Sequence, residues 1–215
     1  MIDDNWELID GTTAHEIEVL NYSNQVNVIE ALVKFLIHHF GVDQNGCKGA
    51  PNLTTLKEFH RTATLFLLAK PGEFREEQVW VKKGTVIVHT PPPHPEVQKW
   101  MDDFFGKIQG RWAQYSAVEM AAYALWLINW VHPFKNGNGR SARAFSYACL
   151  SLKLGFVLPG TPTVIDLIMQ NRDEYQNALR AADIVFSVQG EPDLTAMTAF
   201  VEKLLIQQLS SVGQP

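Results

Sequence analysis

HPFKNGNGRSAR, residues 132–143, sets a histidine, a glycine-rich turn and two arginines within one loop and helix start. Gly137 and Gly139 free the backbone to turn sharply, so that successive N–H groups can converge on an anion at the N-terminus of the following helix. This is a phosphate cradle without a Walker lysine. Arg140 and Arg143, three residues apart, share a helix face and can both grip a polyphosphate through their forked guanidinium groups. His132 lies just outside the cradle, where an imidazole titrating near neutrality is suited to removing a proton from an attacking hydroxyl. Taken singly, the histidine reads as structural, the GNG turn as a plain connection and the arginines as a solvated face. Their combination is what points to anion chemistry. Phe134 reads as the core anchor of the loop.

Outward from this loop, the spacing of apolar residues predicts a mainly helical chain. Ala117 to Val131 is apolar nearly all round, as a helix buried on several sides and delivering His132 would be. Trp126 and Trp130 on it read as core or pocket wall. Ser141 to Leu154 continues from the cradle as a helix capped by Gly155, Thr161 and Pro162 signal the start of a helix carrying Tyr175, and Leu194 to Leu209 closes the bundle. Upstream, Val26, Ile29, Val33, Leu36 and Phe40 recur at helical spacing and stop at Gly41, before the polar loop DQNGCKGAPN. A second helix is expected from Leu53 to about Leu68, ended by Pro71 and Gly72. The β-branched runs Val79 to Val81 and Thr85 to Val88, split by Lys82, Lys83 and Gly84, predict a short hairpin. The expected fold is all-α, a helical bundle with one small β-hairpin flap.

A chain of 215 residues with 46% hydrophobic and 19% charged content is globular and large enough to bury a substantial core. The net charge of −5, with no basic stripe, argues against a general nucleic-acid binder. Cys47 and Cys149 show neither CxxC nor zinc spacing, which predicts free thiols in a reducing cytoplasm. There is no basic-then-apolar leader and no run of roughly 18 apolar residues. A soluble, cytoplasmic protein is therefore expected, with export by a signal-less route left open.

Through the pattern H-x-F-x-x-G-N-G-R-x-x-R at 132–143, the chain resembles the Fic (filamentation induced by cAMP) domain family. PGEFR at 71–75, QVWVKKGTVIVHT at 78–90 and PPPHPEVQKWMDDFF at 91–105 are similar to that family's approach to its target-docking flap and the helix after it. NRDEYQNALRAAD at 171–183 is similar to its nucleotide-side helix, so the likeness runs from about Leu53 to Leu209. The resemblance implies a Fic-like core over 51–215 behind an N-terminal helical arm, 1–50. It implies a protein adenylyltransferase that moves AMP from ATP to a Ser, Thr or Tyr hydroxyl, with Mg²⁺ as cofactor and diphosphate released. His132 would be the general base. Asn138 and the backbone of Gly137 and Gly139 would hold the phosphates, and Arg140 and Arg143 would neutralise them, Arg143 nearest the terminal phosphate. Tyr175 and Asp183 fall where members of the family line the nucleoside pocket, the latter position being more typically Asn. A target protein would pair with the flap at Thr85, Val86, Ile87 and Val88 by strand addition. The implied partners are ATP and that target, with a homo-oligomer also open.

Two places depart from the family pattern. Asn136 stands where an Asp or Glu usually holds the magnesium ion. An amide oxygen can ligate a hard cation but lacks the charge that draws it from water. Either the diphosphate recruits the metal largely by itself, or transfer is altered or reduced. Near the N-terminus, Thr12 to Glu16 (TTAHE) resembles the family's inhibitory helix, placed around 12–20, whose glutamate pairs with the second motif arginine. Here Ile17 replaces the usual Gly or Asn. Thr13 and Glu16 equally form a capping box. Two rival functions stay open beside AMP transfer: a transferase using another diphosphate-containing donor, and a non-catalytic nucleotide- or target-binding module.

Overall fold

The computed structural model describes residues 6–212. Helix α1, Gly11–Phe40, is one 30-residue rod, so the segment around 12–20 and the apolar run to Phe40 are a single element. Ala14, Glu18, Asn21, Gln25, Ile29, Val33 and Leu36 form its buried stripe, at the three-to-four spacing of one helix face. Gly41 ends it, its N–H returning to Ile37 O at 2.9 Å. The polar loop beyond, expected to be irregular, contains a hairpin: β1 (Val42–Asp43) pairs antiparallel with β2 (Gly46–Cys47). Asp43 steadies its turn by accepting the Asn45 N–H at 2.7 Å. Helix α2, Leu53–Thr64, starts with a capping box between Asn52 and Thr55. It stops short of Leu68. Asn21 of α1 donates to Leu65 O at 2.9 Å, and Phe66 turns the chain with φ +64°, well before Pro71 is reached.

The flap is the antiparallel pair β3 (Val81–Lys83) and β4 (Val86–His89). Lys82 and Lys83 thus lie in a strand and Thr85 in the turn with Gly84, the reverse of the expectation. The ribbon stands away from the core, with Val86, Ile87 and Val88 63%, 50% and 45% exposed, so no buried face excludes lysine from it. A 3-10 turn at His94–Glu96 leads into α3, Val97–Arg111. Helices α4 (Ala117–Val131) and α5 (Asn138–Leu154) form the central packed pair, joined by residues 132–137. Met120 to Ile128 is buried without a break, as the all-round apolar sequence requires, and Ser116 and Glu119 supply a capping box at its start.

Thr163, rather than Thr161 and Pro162, caps the next helix. Its side chain accepts the Asp166 N–H and opens α6, Val164–Gln170. The chain breaks at Asn171, and Tyr175 rides on a separate helix, α7, Arg172–Gln189. Helix α8, Thr195–Ser210, packs on α4 and α7. One core joins Ile29 and Val33 of α1, Phe59, Phe104, Trp126, Phe134, Phe145 and Phe200. Cys47 and Cys149 are buried free thiols. The architecture is a mostly helical bundle carrying two small hairpins rather than one.

Candidate active site

The loop between α4 and α5 is built around Phe134, which is fully buried and stacked on His60 with ring centroids 3.7 Å apart. His60 Nδ1 accepts the Gly72 N–H at 2.8 Å, so its proton sits on Nε2 and is donated to Asn136 O at 2.9 Å. Burial pushes the His60 pKa down to about 4, and the ring is neutral at pH 7. Asn138 clasps the same phenylalanine, accepting its N–H and donating to its carbonyl, both at 2.8 Å. Its side chain is therefore committed to closing the loop, which leaves its backbone N–H, rather than its amide, to face an anion. Gly137 sits at φ +76°, and a Cβ there would lie 2.5 Å from Thr64 Cγ2, so any side chain must shift its surroundings as well as strain the backbone. The cradle itself is backbone: among the described residues, the N–H groups of Asn138, Gly139 and Arg140 meet no acceptor at the start of α5.

His132 ends α4 in the left-handed region, φ +50°, its N–H still bonded to Ile128 O at 3.0 Å. Nδ1 donates to Asn129 O at 3.2 Å, which leaves the Nε2 lone pair available. Burial lowers its pKa to about 4 against the pull of that hydrogen bond, with His89 and Arg75 adding to the depression. The imidazole is neutral and able to accept a proton. Asn129 also donates to the Tyr175 hydroxyl at 2.9 Å, joining the α4 terminus to α7. Tyr175 stacks on Phe200, and burial raises its pKa to about 12. Two turns on, Asp183 accepts from Trp126 Nε1 at 2.9 Å and faces His89 Nδ1 at 3.9 Å, while burial raises its pKa. His89, at the foot of β4, also bonds Trp130 O at 2.7 Å.

The two motif arginines differ. Arg143 has no acidic partner among the described residues, and its Nε is buried without a hydrogen bond. Burial lowers its pKa to about 10, still cationic at pH 7. It lies along the cradle, since a Cβ on Gly139 would come within 3.1 Å of its Nη1. Arg140 is paired with Glu18 of α1 and stacked over Trp6 at 4.9 Å, and Trp6 Nε1 donates to the same carboxylate at 2.9 Å. Thr12 and Glu16, the expected regulatory pair, are exposed. Helix α1 is capped at Asp10 without a side-chain bond, so the Thr13 and Glu16 capping box is absent too. The acid that meets a motif arginine is Glu18, and the arginine is Arg140 rather than Arg143. Lys135 adds a bridge from Glu7, at 2.5 Å, to Glu77 ahead of the flap, at 2.9 Å.

Asn136 Oδ1 accepts the Gly137 N–H at 2.6 Å, turning the one proposed metal ligand back onto its own loop. Among the described residues no three His, Cys, Asp or Glu side chains gather to hold an ion. The residues present do not by themselves fit a protein-held magnesium ion. No described helix is long and apolar enough to cross a membrane.

Four site residues escaped the reading of the sequence: Glu18, His60, Arg75 and Asn129. Asn129 carried a usable signal, as the only polar residue in the apolar run from Leu125 to Val131. Arg75 closes the PGEFR stretch noted in the sequence, but that it is 5% exposed and bonded only to backbone carbonyls is not written in it.

Residues 51–150 match the Fic/DOC family. The protein adenylyltransferase Fic of Nematostella vectensis is 31% identical over 113 residues, covering 52% of this chain and 24% of the relative. That of Aedes aegypti is 31% identical over 113 residues, covering 52% and 20%. The chain thus spans about a quarter or less of the length of these curated relatives. A Fic domain containing signaling protein from Bacteroides thetaiotaomicron superposes with a TM-score of 0.69 at 19% identity, covering 94% of this chain and 72% of that one. A Fic family protein from Desulfovibrio desulfuricans gives 0.66 at 20% identity, covering 97% and 57%. These two show the shared fold. With the motif in its loop, the bundle around it and the matched stretch agreeing, the chain carries a Fic/DOC family domain, set in a Fic-like fold.

Proposed function

We propose that this chain is a protein nucleotidyltransferase that moves AMP from ATP to a hydroxyl of a target protein. The observation that carries the reading is Arg143, a cation without a counter-charge among the described residues, beside helix N–H groups that lack acceptors. Such a site is complementary to phosphate. His132, neutral and with Nε2 open, takes the hydroxyl proton as the oxygen attacks the α-phosphorus. The bond from that phosphorus to the diphosphate breaks, and diphosphate leaves against Arg143 and the α5 terminus. Tyr175 and Asp183 border the nucleoside side, and the exposed β4 residues offer an edge to an extended target segment.

Glu18 tempers this activity in the same reading, by withholding Arg140 from the phosphates. Asn136 supports a second reading, a nucleotide- or target-binding module with little or no transfer, because it brings no charge to a metal. A donor panel separates ATP from other diphosphate-containing donors. The deciding experiment follows label from ATP into protein in a cell lysate containing Mg²⁺, with His132→Ala alongside. AMP transfer requires label from the parent chain and a loss of about 10²- to 10⁴-fold in the variant. Tight ATP binding by both proteins without labelling selects the binding module.

A further inference from the structure

We infer that Arg75 is a positioning residue that holds the His132 backbone and both feet of the flap in one fixed relation. Its Nε donates to His132 O at 2.8 Å. Nη2 donates to Val131 O at 3.4 Å and to Pro92 O, just after β4, at 2.6 Å. Nη1 donates to Glu77 O, ahead of β3, at 3.1 Å, and the Arg75 N–H reaches Pro133 O at 2.9 Å. One side chain with its own amide thus gathers carbonyls from the end of α4, the motif loop and the chain on either side of the hairpin.

A buried guanidinium normally meets a carboxylate, because an uncompensated charge is costly to desolvate. Arg75 has no acidic partner among the described residues, and the Glu77 carboxylate turns instead to Lys135. Only its planar fork can serve carbonyls in several directions at once, and a point-charge ammonium cannot copy that pattern. The bonds fall where the backbone most needs outside support. His132 occupies the left-handed region, which a residue with a Cβ adopts at a cost, and its carbonyl and that of Pro133 are both fixed by Arg75. The same side chain therefore sets where the imidazole stands relative to the flap edge. The nucleotide side is held otherwise, through Asn129, Tyr175 and the start of α5.

This inference rests on His132 as the base and the flap as the docking edge. It predicts a split: loosening Arg75 lowers the maximal transfer rate while leaving ATP half-saturation unchanged. Arg75→Met and Arg75→Lys are compared with the parent, using labelled ATP and a fixed amount of cell lysate as acceptor. Each is also followed by thermal unfolding and by hydrogen exchange at the amides of 80–90 and 128–135. A displacement of the order of 1 Å costs about 100-fold in rate. The expected result is a maximal rate down by about 10- to 100-fold in Arg75→Met, with partial recovery in Arg75→Lys and ATP half-saturation within about twofold throughout. Exchange should rise together in the flap and the motif loop. A parent-like rate in a folded Arg75→Lys together with parent-like exchange overturns the inference, as does an equal loss of ATP affinity. If Arg75→Met fails to fold, Arg75→Lys decides by the same criteria, and unfolding of both overturns it. If the parent itself labels nothing, the transferase reading fails while exchange still decides the coupling: a joint rise in Arg75→Lys supports it, and a rise in neither or only one segment refutes it.

Discussion

Glu16 and Glu18 stand two residues apart on α1, and the rotation of about 200° between them separates an exposed acid from one buried against Arg140. Replacing Glu18 with Ala should free Arg140 and raise ATP affinity several-fold in calorimetric titration, while Glu16→Ala should leave it at the parent value. Equal effects from the two would remove Glu18 from the cradle's control. The motif match points to Glu16, whereas the acid that α1 brings to a motif arginine is Glu18, on another face of the same helix. With no Gly or Asn after the glutamate, nothing local fixed the register. Asn136 was the opposite case. The type of residue was informative from the start, and the structure added that its amide oxygen is already engaged by Gly137. Asn136→Asp should keep that bond with one oxygen and offer the second to a cation. Titrating Mg²⁺ against transfer should then show half-maximal activity at lower metal, and superimposable curves would separate position 136 from the ion.

Whole elements were legible wherever apolar period or a cap set them. Helix α4 followed from its unbroken apolar run, α5 from the cradle to Gly155, and the hairpin from its β-branched pair of runs. Element ends were decided by partners far away. Helix α2 stops where Asn21 donates to Leu65 O, and α6 and α7 separate at Asn171, within the polar run Gln170 to Glu174 that carries neither Gly nor Pro. The junction of α2 with the motif loop makes a sharper prediction. A Cβ at position 137 would meet the Thr64 methyl at 2.5 Å, so Gly137→Ala must displace that side chain or the loop and also strain its own positive φ. The expected loss is about 1–3 kcal/mol in urea unfolding, with weakened ATP binding. Parent-like stability would mean that α2 yields there at little cost.

Across the whole molecule, the contacts that shape the site join residues far apart in the chain: 57 between Arg75 and His132, and 76 between His60 and Asn136. Spacing within a motif cannot encode such pairings, which is why the loop and helix start at residues 132–143 were legible and their scaffold was not. His60 gives the scaffold a pH dependence. Its folded pKa, about 4, lies below the ordinary imidazole value, so the unfolded chain takes up the proton first as pH falls. Its contribution is complete above about pH 6.5 and is lost progressively toward pH 4, on the order of 3 kcal/mol. Urea unfolding at pH 7 and pH 5 should show a smaller drop for His60→Gln than for the parent, and equal drops would assign the acid sensitivity elsewhere. The N-terminal segment reaches the same region from the other side. Trp6 lies over the Arg140 guanidinium at 4.9 Å and donates to its counter-ion, so any anion that draws Arg140 away must change the electronic surroundings of that indole. The chain therefore carries an optical gauge of its own cradle: tryptophan emission should shift as ATP is added, and Trp6→Phe should remove the part of the shift that arises at Arg140 while the other five of its six tryptophans go on emitting.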